Sequence, residues 1–348
     1  MRHSIEDLTL KISESDYRKY PAYSQSLLGS YLRLGFDNIH KLEEPLVGSF
    51  LDYGSVVDVL LTGTKEEFDK QFIVLNMPEL SSGLFKVCEY LLANYPNTKV
   101  FSEFTDMELS KACIAVGFWV DSGTKNYYNK RITEAKKCED KYNITIKSIG
   151  RKIIPETMYL DCCKCVDSLR NNPNTAPYFQ PKNPFNTDIE IVYQAKMISD
   201  FETIPIKCMF DIIVVDHKNK VIVPVDLKTT SKRSWAFVES FVSYNYDIQA
   251  RMYCYILKKT LNDDNYYKHF TIKNFRFIVI SKQDYFPAIW EYDASFDSGD
   301  LIYGTMHKTK LPDWRSLLLE LDCYKKGSYM APLNMKPVNS ITEYLNNK

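Results

Sequence analysis

The segment from Asp211 to Lys228 constrains the fold more than any other stretch of the chain. Two apolar runs, 212–215 and 221–225, flank a short polar stretch at 217–220. A polar link that short lets the runs pair antiparallel as a hairpin. Asp211 starts the first run, and Asp226 and Lys228 close the second. On a strand, residues two apart share a face, so Asp226 and Lys228 point one way and Leu227 the other. Pairing the runs brings Asp211 near Asp226. Pro224 interrupts the second run and predicts an edge position or a bulge there.

Two carboxylates and an ammonium at the end of a buried hairpin are unfavourable unless their charges are balanced. A hard divalent cation removes the repulsion between the acids. Carboxylate oxygens suit Mg²⁺ or Mn²⁺ better than zinc. Lys228 beside them can orient a water and stabilise charge on a phosphate, which points to phosphodiester cleavage. The competing reading is a surface hairpin with ordinary charged ends, because Asp-x-Lys alone is common. The apolar run that leads into Asp226 weighs against it.

Elsewhere the pattern predicts a largely helical first hundred residues. Ser24 and Thr64 are capping residues at helix starts, a helix over 51–61 holds Gly54 and Asp58, and another runs over 79–95. Helices follow over 106–116, stopping at Gly117, and from Pro155-Glu156 to about 170. A basic and aromatic run at 126–137 is either a solvated helix face or a phosphate contact. Strands are expected over 189–198, 204–208, 211–215, 221–227, 275–281 and 288–292, with helices over 233–242, 247–261 and 314–324. The tail after residue 331 reads as weakly structured.

Other chemistries lack their signatures. Formal net charge is zero, so any basic surface must be local. There is no Walker loop, no nucleophile elbow and no zinc-type spacing among the five histidines. No uncharged apolar run is long enough for a bilayer, and the N-terminus lacks a signal-peptide core. The nine cysteines form no disulfide-like framework. A cytoplasmic protein with reduced thiols and no membrane partner is expected.

The hairpin resembles the core of the PD-(D/E)xK nuclease superfamily, with Asp211 as the first acid and Asp226-Leu227-Lys228 as its Asp-x-Lys. Beyond it, Gln249-x-x-x-Tyr253 is similar to the motif of the RecB-type branch, and the two side chains share a helix face. The overall likeness is to the nuclease domain of exodeoxyribonuclease VIII and its phage relatives, from about Tyr23 onwards. It implies an α/β fold with a restriction-endonuclease-like core: a small central mixed β-sheet flanked by helices, with a helical N-terminal region. It also implies a helical region at 1–104 that contributes to the site, an insertion at 105–150, the nuclease core at 151–330 and a tail at 331–348.

The implied metal ligands are Asp211, Asp226, the Leu227 carbonyl and Asp58. Asp58 stands where the branch carries a histidine, four residues after Gly54. Gln194 takes the place of a glutamate on the preceding strand. Asp211, Asp226, Lys228 and Gln194 are the implied catalytic set, and Gln249 and Tyr253 the substrate-binding pair. The implied activity is Mg²⁺- or Mn²⁺-dependent exonuclease action on double-stranded DNA ends in phage or bacterial recombination. The implied setting is the bacterial cell or infected host, beside a single-strand annealing recombinase, with a homo-oligomer as a further expectation. No iron–sulfur cluster is expected, because Cys162, Cys163 and Cys165 scatter around a helix. The rival readings are an inactive nuclease-like DNA-binding or assembly protein and an endonuclease of the same fold.

Overall fold

The computed structural model describes residues 3–42, 44, 48–179, 188–294 and 313–326. The expected tail after residue 331 lies outside them. The chain forms two compact units, one of residues 1–48 and 167–348, the other of residues 49–166.

In chain order, the first unit begins with α1 (Glu14–Lys19), β1 (Tyr23–Ser24) and α2 (Gln25–Leu34). Ser24 caps α2, its hydroxyl accepting from Leu27 N–H. The second unit follows with α3 (Ser49–Thr62), α4 (Lys65–Gln71), β2 (Phe72–Val74), α5 (Ser82–Asn94), α6 (Asp106–Ala115), α7 (Tyr128–Ala135), α8 (Glu139–Lys147), β3 (Lys152–Ile154) and most of α9 (Glu156–Asn171), whose residues from 167 onward belong to the first unit. Thr64 and Glu67 form a reciprocal capping box at the start of α4. β2 and β3 pair in parallel. This unit has its own apolar core, in which Phe101 and Phe104 meet Tyr142 edge to face. The charges of the 126–137 run are engaged locally: Arg131 is buried against Asp121 and Ser110, and Glu134 pairs with Lys130 and Lys137.

The rest of the first unit is β4 (Ile189–Phe201), β5 (Ile204–Asp216), β6 (Val221–Thr230), α10 (Phe237–Ser243), α11 (Tyr246–Asn262), β7 (Thr271–Ile272), β8 (Phe275–Ser281), β9 (Pro287–Tyr292) and α12 (Trp314–Lys325). The fold is α/β, with a central mixed sheet flanked by helices. Seven strands form that sheet among the described residues: β1-β5-β6-β8-β9 in order, with β4 on β5 and β7 on β6. β4, β5 and β6 are antiparallel, β6 and β8 parallel, β8 and β9 antiparallel. The buried face of α11, with Ile248, Met252 and Ile256, joins the sheet residues in one core. Among the described residues no helix is long and apolar enough to cross a membrane.

Two strand expectations need correction. The runs over 204–208 and 211–215 are one strand, β5, so Asp211 lies within it rather than at its start. Met209 and Phe210 continue the strand because they pair with Lys196 and Ala195 of β4. Pro224 lies neither at an edge nor in a bulge. It pairs in regular register with Ile213 on an interior strand. On its other side β6 changes neighbours, from β7 at Val221 and Ile222 to β8 from Val225 onwards. Residues 223 and 224 fall in that gap, so a missing N–H there deprives no ladder partner.

A candidate active site where the hairpin forks

β5 and β6 are paired only from Ile212↔Val225 to Asp216↔Val221. Before that point the same side of β5 faces β1, at Ile206 and Lys207. The two strands therefore part at the next step, where Asp211 and Asp226 would oppose one another. The parting leaves the backbone of β6 without its β5 partner. Leu227 N–H donates instead to the Asp211 carboxylate at 2.8 Å. That bond fixes Asp211 beside the Asp226-Leu227-Lys228 corner.

The same row continues into β4. Tyr193↔Ile212 and Ala195↔Phe210 are regular pairs, and between them Gln194 and Asp211 stand opposite without a ladder pair. Gln194 has φ +51°, in the left-handed region that a residue with a side chain rarely occupies. The inward alternation slips at this row in both strands. Ile206, Cys208 and Phe210 share the core with Ile213 and Val215, and Ala195 and Met197 share it with Val192. A row distorted in two neighbouring strands re-aims its side chains, as bulges next to active sites do.

Asp226 is 2% exposed. One of its oxygens accepts from the side-chain amide of Gln249, itself buried on α11. Lys228 Nζ lies 2.6 Å from the other oxygen, an ion pair without the alignment of a good hydrogen bond. The Lys228 ammonium also stands over the Tyr246 ring, 4.7 Å from its centroid. Burial pulls the lysine toward the neutral form, but Asp226, Tyr246 and Asp211 outweigh it and hold Lys228 above the usual lysine range. Lys228 is thus a fixed cation at neutral pH and not a proton acceptor. The side-chain oxygen of Gln249, Oε1, is buried with no hydrogen-bond partner. Tyr246 was not anticipated from the sequence. Its one signal was a position three residues before Gln249, on the same helix face.

Of the other residues predicted for the site, Tyr253 is nearly buried, its ring packed edge to face on Phe210 at 5.1 Å. Burial, reinforced by Tyr17, Cys208, Asp226 and Asp211, keeps its hydroxyl protonated. Asp58 stands on α3 in the second unit, where its carboxylate accepts from Thr62 Oγ1 at 3.3 Å. Among the described residues no three His, Cys, Asp or Glu side chains are gathered as a metal-ligand group. Cys162 and Cys165, on α9, both face the buried Tyr53.

No family model and no curated protein matches this chain. A crystal structure of a protein from Eubacterium rectale, described as a "putative exonuclease", is similar over 80% of this chain and 95% of its own. The identity is 13% and the TM-score 0.32, and a likeness that faint carries no argument about fold or activity.

Proposed function

We propose that the chain is a metal-dependent deoxyribonuclease that hydrolyses phosphodiester bonds of double-stranded DNA, working from ends as an exonuclease in phage or bacterial recombination. The observation that carries this reading is the convergence of Asp211, Asp226, Lys228 and Gln249 at the strand fork. Two carboxylates, the Leu227 carbonyl and the unpartnered Gln249 oxygen are all hard oxygen donors, which fits Mg²⁺ or Mn²⁺. A cation bound there supplies Lewis-acid charge beside the scissile phosphate.

The chain's own groups have distinct tasks in this reading. Lys228 orients the attacking water and offsets charge on the non-bridging phosphate oxygens. Gln249 holds Asp226 in place, and Tyr253 seats α11 on β5 through Phe210. Water adds to phosphorus and gives up a proton, one ester P–O bond breaks, and the departing oxygen takes up a proton, so that one water is split between the two products. The buried, prearranged donors suit a transition state of higher charge than the substrate.

The test is incubation with linear and closed-circular duplex DNA, with and without Mg²⁺. Loss of the linear form only is expected, abolished by Lys228→Ala and by excess EDTA. Linearisation of the circle would make the protein an endonuclease. Binding of DNA with no cleavage would leave the inactive DNA-binding reading.

A further inference from the structure

The connection between the two halves of the site, residues 231–245, leaves β6 just past Lys228 and returns as α11 just before Gln249. It carries Trp235 and Tyr244, the two most exposed aromatic side chains among the described residues, each 67% exposed. Lone exposed aromatics are unremarkable on a protein surface. Two of them, on the one segment that joins the strand and the helix of the site, are not scattered.

The segment is anchored from within. Ser234 is buried and its carbonyl accepts from Trp290 Nε1–H at 2.9 Å. Phe237 and Phe241 turn into the core and pack on Tyr246 and Phe277. Trp235 and Tyr244 point outward from that fixed backbone. Tyr244 leans on Tyr246 with ring centroids 5.7 Å apart, and Tyr246 in turn carries the Lys228 ammonium. Asn245, between the two tyrosines, is held at φ +54°. That left-handed turn sends Tyr244 outward while Tyr246 packs inward. Lys232 and Arg233 are exposed on the same segment, Lys232 in an ion pair with Glu239 at 2.6 Å.

We infer that this segment is a stacking platform for unpaired DNA bases next to the hydrolytic centre, an inference that rests on the nuclease reading and adds the form of the substrate to it. Anchored aromatic rings beside cations bind single strands by stacking any base while the cations follow the backbone. Rings held by two torsions lose little entropy on binding. The platform selects ends whose terminal nucleotides are frayed or overhanging.

The full chain is tested in EDTA, where no cleavage occurs, with labelled oligothymidylate, a blunt duplex and the same duplex bearing an unpaired thymidine tail. The tailed duplex is expected to bind more tightly than the blunt one, and an abasic tail to bind like the blunt one. Tyr244→Ala weakens tail binding about tenfold, the scale of one stacked base, and Tyr244→Phe restores it. Saturating oligonucleotide quenches tryptophan emission, and Trp235→Phe removes most of that quench. With Mg²⁺, Tyr244→Ala raises KM for the tailed substrate and leaves kcat unchanged. Unquenched emission, or wild-type tail binding by a Trp235→Ala, Tyr244→Ala double variant that still cuts linear DNA, overturns the platform alone. A chain that neither binds nor cuts any DNA overturns the nuclease reading and the platform with it.

Discussion

A carboxylate as buried as that of Asp226 is costly unless its partners are already in place. Gln249 and Lys228 are those partners, one from a helix and one from the strand itself. The Asp226–Lys228 relation was legible in the sequence, because two residues of spacing on a strand dictate a shared face. Tyr246 was not legible, because its place under the ammonium depends on how α11 docks. The raised proton affinity of Lys228 has a measurable consequence. A base whose folded value lies above its unfolded value contributes its stability in full below the unfolded value, about 10.4, and loses it as pH rises through the folded value. The difference in urea midpoint between wild type and Lys228→Met is therefore expected to stay constant from about pH 7 to 9.5 and to shrink only above about 10.4. A difference that fades near neutrality would contradict the balance of charges at this corner.

At the scale of elements, the strand fork and the slipped row belong together. β5 cannot follow β1 and β6 on one side at once, so it pairs them in succession, and the site occupies the interval. Gln194 and Asp211 face one another across that interval. The left-handed backbone of Gln194 makes the row testable. Gln194→Gly removes the Cβ conflict and is expected to leave stability nearly unchanged. Gln194→Val adds a branched side chain at the same φ and is expected to lower stability by about 1–3 kcal/mol in a denaturant titration. Equal stability of the two variants would mean that the backbone is not held there. Strand periodicity located β5, β6 and β8 but divided β5 in two, because the slip at Asp211 breaks the very alternation that marks a strand. Lys207 gave no warning either. It lies buried on β5, its ammonium donating to the carbonyls of Tyr17, Arg18 and Tyr20 at the end of α1.

For the whole molecule, the zero formal charge means that DNA would be held by local features rather than by a general field. A ligand that binds only the folded chain stabilises it by mass action. Mn²⁺ at about one hundred times its Kd is expected to raise the unfolding free energy by about 2.7 kcal/mol. Asp226→Asn, which keeps the shape and removes the charge, is expected to abolish that gain. A gain of the same size in Asp226→Asn would place the cation elsewhere in the chain.

The sequence by itself determined the hairpin, the shared face of Asp226 and Lys228, and the helix that bears Gln249 and Tyr253. These depend on periods of two and 3.6 residues and on capping, all of which act within a few residues. Only the tertiary structure decided where the strands part, why Pro224 is tolerated inside the sheet, and which rings surround the lysine. Each of those outcomes is set by neighbours distant in the chain: β1 against β5, the exchange of β7 for β8 along β6, and α11 docked on the sheet. Local patterning carries no record of such partners, because the same strand satisfies its own alternation whichever strand lies beside it.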